Sequence, residues 1–483
     1  MTQTLTDRDI LTNDEYIVMF DGNSLHDMTN SPYGREGKEL TLAAAGDAIL
    51  TRKQSIYEDE RFVRLLDRIR DADVSFVNLE VLLHDYEGYP AANSGGTYMR
   101  APPWVADELR WSGFDIFAAA TNHTGDFSHG GMEATMQALD EREIPYAGLG
   151  ENLADARRPA YVDTPGGRVG VVAACSTITP GSEAGIQRPD IHGRPGLSPL
   201  HLETRYTVPE EVHDQLKSMS ENLGLEDLKD RHERLGFPVP GGKHEGFSLL
   251  NVGGTQHLQF EAGDEFAVTQ RPREADTTAI LDQICQARSQ SDWVLVSLHV
   301  HEGVGGVLND ETVPEFLERF AHQCIDAGAD AFLGHGPHVL RGIEIYDGAP
   351  IFYSLGNFMM QNETVTKLPA ELFDKYDLPR YESLPADLFD ARISDEEERR
   401  IGFLADAAFW ETVVPVCHFQ DGGLQQISLY PVDLGYEQPR PRRGRPVLAT
   451  ETKASEILET AVSLSEPYGT EITIDGEIGR IDV

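Results

Sequence analysis

Residues 334–358 read GHGPHVLRGIEIYDGAPIFYSLGNF, and the fold is read outward from them. They follow a short apolar run, Ala331-Phe332-Leu333, which reads as a buried strand ending in Gly334. His335 and His338 then fall on the loop beyond the strand's carboxyl end, the edge at which open α/β sheets bind ligands. Pro337 stiffens this loop, while Gly334 and Gly336 let the backbone approach whatever the imidazoles hold. Further on, Ile343–Tyr346 and Pro350–Leu355 flank Asp347-Gly348, a strong hairpin signal. Asn357, beside Gly356, closes the element on a polar amide. One loop histidine would need no special explanation. Two within four residues, bracketed by glycines, point to a metal site.

The chain has 483 residues, enough for one core with insertions or for two domains. Its 81 acidic and 40 basic residues give a net charge of −41, spread along most of the length. Such a surface repels nucleic-acid phosphates and anionic lipid, and it suits a salt-rich cytoplasm where counter-ions screen self-repulsion. Cys175, Cys285, Cys324 and Cys417 lie far apart in mostly apolar contexts, with no CxxC pair, and read as buried free thiols. Neither a signal peptide nor a run of 18 apolar residues is visible. A soluble, cytoplasmic protein without a membrane span is expected.

Residues 1–39 read as an arm, 40–434 as the main domain, and 435–483 as an Arg-Pro-rich linker and a helix. Strands are expected at 40–45, 74–77, 115–120, 169–175 and 292–298, before the opening stretch, and at 407–419 and 424–431 after it. Phe62, Leu65, Leu66 and Ile69 share one face of a helix, and Ser128 is placed to cap another. Residues 180–272 and 361–400 break this rhythm and read as insertions, the first a lid or substrate wall.

The strand ends carry the chemistry. In order they present Asp47; Asn78 and Glu80; Asn122 and His123; His299, His301 and Glu302; and His335 with His338. Parallel strands in βαβ units bring such ends to one edge. Alone, each residue has an ordinary use, Asp47 as a turn former or Asn122-His123 as a loop corner. Together, carboxylates, amides and imidazoles suit one or two divalent ions of the Mn, Fe or Zn class rather than calcium. Glu80 could bridge a pair.

Gly46-Asp47, Asn78-Leu79-Glu80, Thr121-Asn122-His123 with Asp126 and Gly130, Ser297-Leu298-His299, and the GHGPHV to YSLGNF run together resemble the CapA family. These are capsule or poly-gamma-glutamate synthesis proteins related to the calcineurin-like metallophosphatases. The resemblance spans residues 40–177 and 274–432. It implies an α/β fold, a four-layer α-β-β-α sandwich with large insertions. It also implies a metal shell of Asp47, Glu80, Asn122, His299, His335 and His338, with His123 as acid/base oriented by Asp126. Three departures stand out. Asp47 is followed by Ala48-Ile49 rather than by the histidine of Asp-x-His, His338 lies three residues beyond His335 rather than two, and His301-Glu302 replaces a tryptophan-glycine pair. His301 therefore either supplies a substitute ligand or lines the pocket. Arg341, His301 and Asn357 are the expected substrate-facing groups, with Arg341 drawing in an anionic small molecule or polyglutamate. The expected function is hydrolysis of a phosphoester or γ-linked amide by metal-activated water. A polymer- or synthase-binding scaffold and a metal-dependent epimerase are the alternatives.

Overall fold

A computed structural model describes residues 37–237, 247–250, 257–395, 397 and 399–483. Residues 1–36 of the expected arm, and 238–246 and 251–256 of the first insertion, lie outside them. Strand β1 (Glu39–Ile49) runs on through Asp47, further than its apolar run suggests. Helix α1 (Glu60–Arg70) is capped by Asp59, whose carboxylate accepts from the amides of Arg61 and Phe62. Strand β2 (Val74–Leu79), helix α2 (Val105–Ser112), strand β3 (Ile116–Ala118), helix α3 (Ser128–Asp140) and strand β4 (Tyr146–Ala147) follow. Ser128 does not cap α3: it is the first helical residue, at φ 55°, and makes no capping bond. Strands β5 (Ala160–Thr164) and β6 (Gly167–Cys175) form a hairpin.

The first insertion has a sheet of its own, which its irregular sequence does not suggest. Strand β7 (Leu202–Pro209), helices α4 (Glu210–Asn222) and α5 (Leu225–Arg234), and strands β8 (Phe247–Leu250), β9 (His257–Gly263) and β10 (Ala267–Pro272) compose it, in sheet order β8-β9-β7-β10. The core resumes with α6 (Glu274–Gln290), β11 (Trp293–His299), α7 (Glu315–Asp326), β12 (Ala331–His335), the hairpin β13 (Ile343–Tyr346) and β14 (Ala349–Phe352), and β15 (Asn357–Met360). Past the second insertion come β16 (Glu411–Gln420), β17 (Gly423–Asp433), β18 (Val447–Leu448) and α8 (Glu451–Ser465). Two further strands, β19 (Thr473–Asp475) and β20 (Ile478–Asp482), have no counterpart in the sequence reading. They tie the tail to β17.

The result is a mixed α/β protein with several sheets. One large sheet has the order β19-β20-β17-β16-β1-β2-β3-β4, with β15 beside β1 and β18 beside β17. The other is β13-β14-β12-β11-β6-β5. Side chains alternate across a strand, so each strand serves two apolar clusters. Leu42, Ala44, Phe76, Val171, Ala173, Leu295 and Leu333 join one cluster that draws on both large sheets. Ala45, Val77 and Phe117 meet α1 and α2 in a second, while Val172, Val296 and Phe332 meet α6 and α7 in a third. Burial on both faces explains why these strands read as continuous apolar runs. Among the described residues no helix is long and apolar enough to cross a membrane.

The carboxyl-terminal part of β1 is where fold and site are joined. Its pairing with β2 skips a residue between Ala45 and Asp47, placing a bulge at Gly46. The Asp47 amide donates to the Gly356 carbonyl at 2.9 Å. A Cβ on Gly46 would run into the carbonyl oxygens of Gly356 and Leu355. Gly46→Ala is therefore expected to destabilise the fold by about 3 kcal/mol, read from urea unfolding. A loss below about 0.5 kcal/mol would show that the two strands can separate freely.

Candidate metal centre

The parallel strands β1, β2, β11 and β12 deliver Asp47, Asn78, His299 and His335 at their carboxyl ends, and the loops just beyond deliver Glu80, His301 and His338. The β3 loop adds Asn122 and His123. All nine side chains are buried. Potential donor atoms of Asp47, His299 and His335 lie within 4.8 Å of one another, and those of Glu80, His301 and His338 do likewise. His299 lies between the two carboxylates: its Nδ1 is 3.8 Å from Asp47 Oδ1 and its Nε2 is 3.7 Å from Glu80 Oε1.

His335, His301 and His338 each give one ring nitrogen to a neutral side-chain oxygen. His335 Nε2 lies 2.7 Å from Ser297 Oγ, His301 Nδ1 lies 2.6 Å from Asn309 Oδ1, and His338 Nδ1 lies 2.9 Å from Asn357 Oδ1. An amide oxygen can only accept, so the Nδ1 atoms of His301 and His338 carry hydrogen, and their Nε2 atoms face inward. The inward nitrogens crowd together, at 3.0 Å for His299 Nε2 and His301 Nε2 and 3.3 Å for His299 Nδ1 and His335 Nδ1. Two ligands on one ion with bonds of about 2.1 Å stand roughly this far apart. His338 holds a left-handed φ of 63°, unusual for a side chain of its size. Asn357 clamps it there, donating from Nδ2 to the His338 carbonyl at 3.2 Å and to the Phe409 carbonyl at 2.9 Å.

The electrostatics are those of a dry site crowded with ionisable groups. Burial pushes the Glu80 carboxyl well up, and the Asp47 and Asp126 carboxylates push it further. Neither Glu80 oxygen has a hydrogen-bond partner, and Asn78 Oδ1 also lacks one. Burial pushes Asp47 up as well, but the hydrogen bond and charge of His338, with His335 and Asn78, outweigh it and hold the carboxyl below its usual value. Desolvation, with repulsion from neighbouring histidines, pulls His299 well down and His301 to about 3; desolvation alone pulls His335 to about 4. Neutral imidazoles and a carboxylate with no partner are what a divalent cation would take. The donor set fits such an ion.

The remaining expected residues fall into place unevenly. His123 Nδ1 is 2.7 Å from Asp126 Oδ2, and its Nε2 is 4.0 Å from Glu80 Oε1. Asp126 also accepts from the amides of Gly95 at 3.1 Å and Met99 at 2.7 Å, which fixes its orientation. Asn122 sets its Oδ1 3.1 Å from His299 Nε2. Arg341 is not available to a substrate in the way expected of it. Its guanidinium is buried, held down to about 10 by desolvation, and donates to the carbonyls of Asp310 and Glu302 at 2.9 Å each. It braces the loop that carries His301. Asn357 likewise serves His338 rather than facing an open pocket, and His301 stands inside the cluster with Glu80 rather than on the pocket wall.

Sequence reasoning missed Asn309, Ser176 and Thr177. Ser176 Oγ and Thr177 Oγ1 hold Glu302 Oε2 at 2.8 and 2.9 Å, and Thr177 Oγ1 also accepts from the His301 amide. The strand-end rule covers this pair, since both directly follow β6. Asn309 carries no local signal.

The profile of a family described as "Bacterial capsule synthesis protein PGA_cap" matches residues 41–362, which contain every strand end named above. An uncharacterized protein of Sinorhizobium fredii (strain NBRC 101917 / NGR234), y4sH, is 34% identical over 468 residues, covering 94% of this chain and 96% of the relative. The capsule biosynthesis protein CapA of Bacillus anthracis is 25% identical over 341 residues, 69% of this chain and 63% of the relative. A probable polyglutamine synthesis accessory protein of Mycobacterium tuberculosis (strain ATCC 25618 / H37Rv) is 28% identical over 253 residues, 52% of this chain and 46% of the relative. With its strand-end residues inside the matched stretch, this chain belongs to the bacterial capsule synthesis protein family PGA_cap.

Proposed function

We propose that the chain is a metal-dependent hydrolase of capsule or polyglutamate metabolism, acting on a phosphoester or a γ-linked amide. One or two divalent ions of the Mn, Fe or Zn class are held by Asp47, Glu80, Asn122, His299, His301, His335 and His338. The observation that carries this reading is the Glu80 carboxylate, wholly buried with neither oxygen hydrogen-bonded. His301 makes up for the nitrogen absent after Asp47, since it stands with Glu80 and His338. The three apolar clusters support a four-layer, metallophosphatase-like arrangement of the two sheets and their helices. The names of the Bacillus and Mycobacterium relatives support the metabolic setting.

Ions bound there supply Lewis acidity toward a phosphoryl or acyl oxygen and toward water. The chain's own residues do the rest. Asp126, fixed by two backbone amides, accepts from His123 Nδ1 and leaves Nε2 directed at the centre. At that atom a proton can be passed to a leaving oxygen or nitrogen. The burial of the surrounding groups keeps bulk water from competing.

Elemental mass spectrometry of protein purified in high salt, without added metal or chelator, is expected to find about one to two equivalents of Mn, Fe or Zn. His335→Ala and Glu80→Ala are each expected to lose most of it. Absence of metal from a folded wild type would overturn the hydrolase and leave a binding protein. On a phosphoester or γ-glutamyl substrate, His123→Asn is expected to lower kcat roughly 10²- to 10⁴-fold with metal content unchanged. An unaltered kcat would remove His123 from the chemistry.

A further inference from the structure

Residues 91–99 wrap the His123–Asp126 pair and carry the amides that orient it. Asp126 Oδ1 and Oδ2 accept from the Gly95 and Met99 amides at 3.1 and 2.7 Å, and the Ala91 amide donates to the Asp126 carbonyl at 2.9 Å. Asn122 Nδ2 donates to the Gly95 carbonyl at 3.2 Å. The loop lies so close that a Cβ on Gly95 would stand 2.7 Å from that Nδ2, and one on Gly96 would stand 4.0 Å from His123 Cε1. Two consecutive glycines, the second exposed at a φ of 148°, give this loop wide backbone freedom. Its local brace is Ser94 Oγ, which bonds the Gly96 carbonyl and amide at 3.0 and 3.3 Å in contact with water.

The second insertion grips the loop from outside at two consecutive residues. Arg392, half-buried near the end of the helix Pro385–Ile393, donates from Nη1 to Thr97 Oγ1 at 2.6 Å. Thr97 is buried and lies between the two residues whose amides hold Asp126. Tyr98 joins Leu82, Phe127, Leu372, Phe373 and Leu388 in a separate buried cluster, the last three supplied by the insertion. The Tyr98 hydroxyl donates to the Ala91 carbonyl at 2.6 Å and closes the loop on itself. Among the described residues no carboxylate pairs with Arg392, although the chain carries 81 acidic residues. Its charge goes to one neutral hydroxyl, in a bond stronger than a neutral pair would make.

We propose that Arg392 is a positioning residue for His123 and that the second insertion is the clamp through which it acts. Arg392 fixes Thr97, the flanking amides of Gly95 and Met99 fix Asp126, and Asp126 fixes His123. The proposal rests on His123 serving as the acid of the hydrolase reading. Without the clamp the fold stands, while Asp126 is free to turn and His123 swings away from the leaving atom.

Two readouts on the full chain in high salt test it. Hydrogen exchange read by mass spectrometry is expected to quicken roughly tenfold at residues 91–99 in Arg392→Gln and in Thr97→Val, with melting temperature and metal content as in wild type. Unchanged exchange there overturns the proposal. Turnover is compared on phenyl phosphate, whose leaving oxygen needs a proton, and on p-nitrophenyl phosphate, whose leaving group departs without one. The N-acetyl-γ-glutamyl anilide and p-nitrophenyl ester make the same contrast for acyl transfer. Arg392→Gln is expected to lower kcat roughly tenfold on the proton-requiring member of a pair and less than about twofold on the other, at unchanged KM. Arg392→Lys should recover part of the loss, and Arg392→Gln should cost nothing further in His123→Asn. An equal loss on both members, or a full further loss in His123→Asn, overturns the positioning role. Quickened exchange in Arg392→Gln with no turnover of either pair by wild type sinks the hydrolase reading and keeps the clamp.

Discussion

Two carboxylates and four imidazoles share one small space from which water is largely excluded, and the geometry around them follows from the cost of that arrangement. An unpaired buried charge is among the most expensive features a fold can carry. Asp47 answers the cost with Asn78, the Gly336 amide and the nearby histidines. Glu80 has no hydrogen-bond partner among the described residues, and burial with the Asp47 and Asp126 carboxylates favours its protonated form, a proton that a bound ion would displace. Burial favours the neutral form of His299, His301 and His335, so these three offer Glu80 no counter-charge. A divalent cation would resolve the imbalance at every one of these groups at once, which is why the proposed centre rests on Glu80 more than on any other residue.

Precision at such a centre comes from the atoms behind it. Ser297, Asn309 and Asn357 each fix one histidine ring. Arg341, buried behind the 301–310 loop, gives Nε and Nη2 to carbonyls and keeps that loop in register, while its Nη1 has no hydrogen-bond partner. The bulge at Gly46 and the close passage of Gly356 turn Asp47 inward. These supports are backbone and neutral side chains for the most part, so they hold the rings without adding to the charge imbalance.

The insertions divide the labour differently from the core. The first builds a separate sheet with two helices. The second, with the residues leading into β16, lays aromatic side chains against His338 and brings Arg392 to Thr97. Membership of the PGA_cap family covers the strands that make the centre, and the family match ends at residue 362, before Arg392, Phe403 and Trp410.

The nearly continuous apolar runs from Val171 to Cys175 and from Trp293 to Leu298, the amphipathic face of α1, and the polar residue closing each strand are local patterns, and the sequence alone determined the α/β class and the strand-end cluster from them. Local pattern also located the hairpin at Asp347-Gly348 and the last long helix. It could not reveal the sheet inside the first insertion or the pairing of β20 with β17, since those strands are short or irregular and gain their partners only at long range. Nor could it separate ligand from support. Arg341 and Asn357 look available in the sequence, yet tertiary packing buries both and turns their donors to carbonyls and to His338. His301, which the sequence leaves open as a substitute ligand or as pocket lining, stands in the group with Glu80 and His338. Which strand end faces which, and therefore which polar atom is left without a partner, depends on how the two sheets meet, and only the tertiary structure decided that.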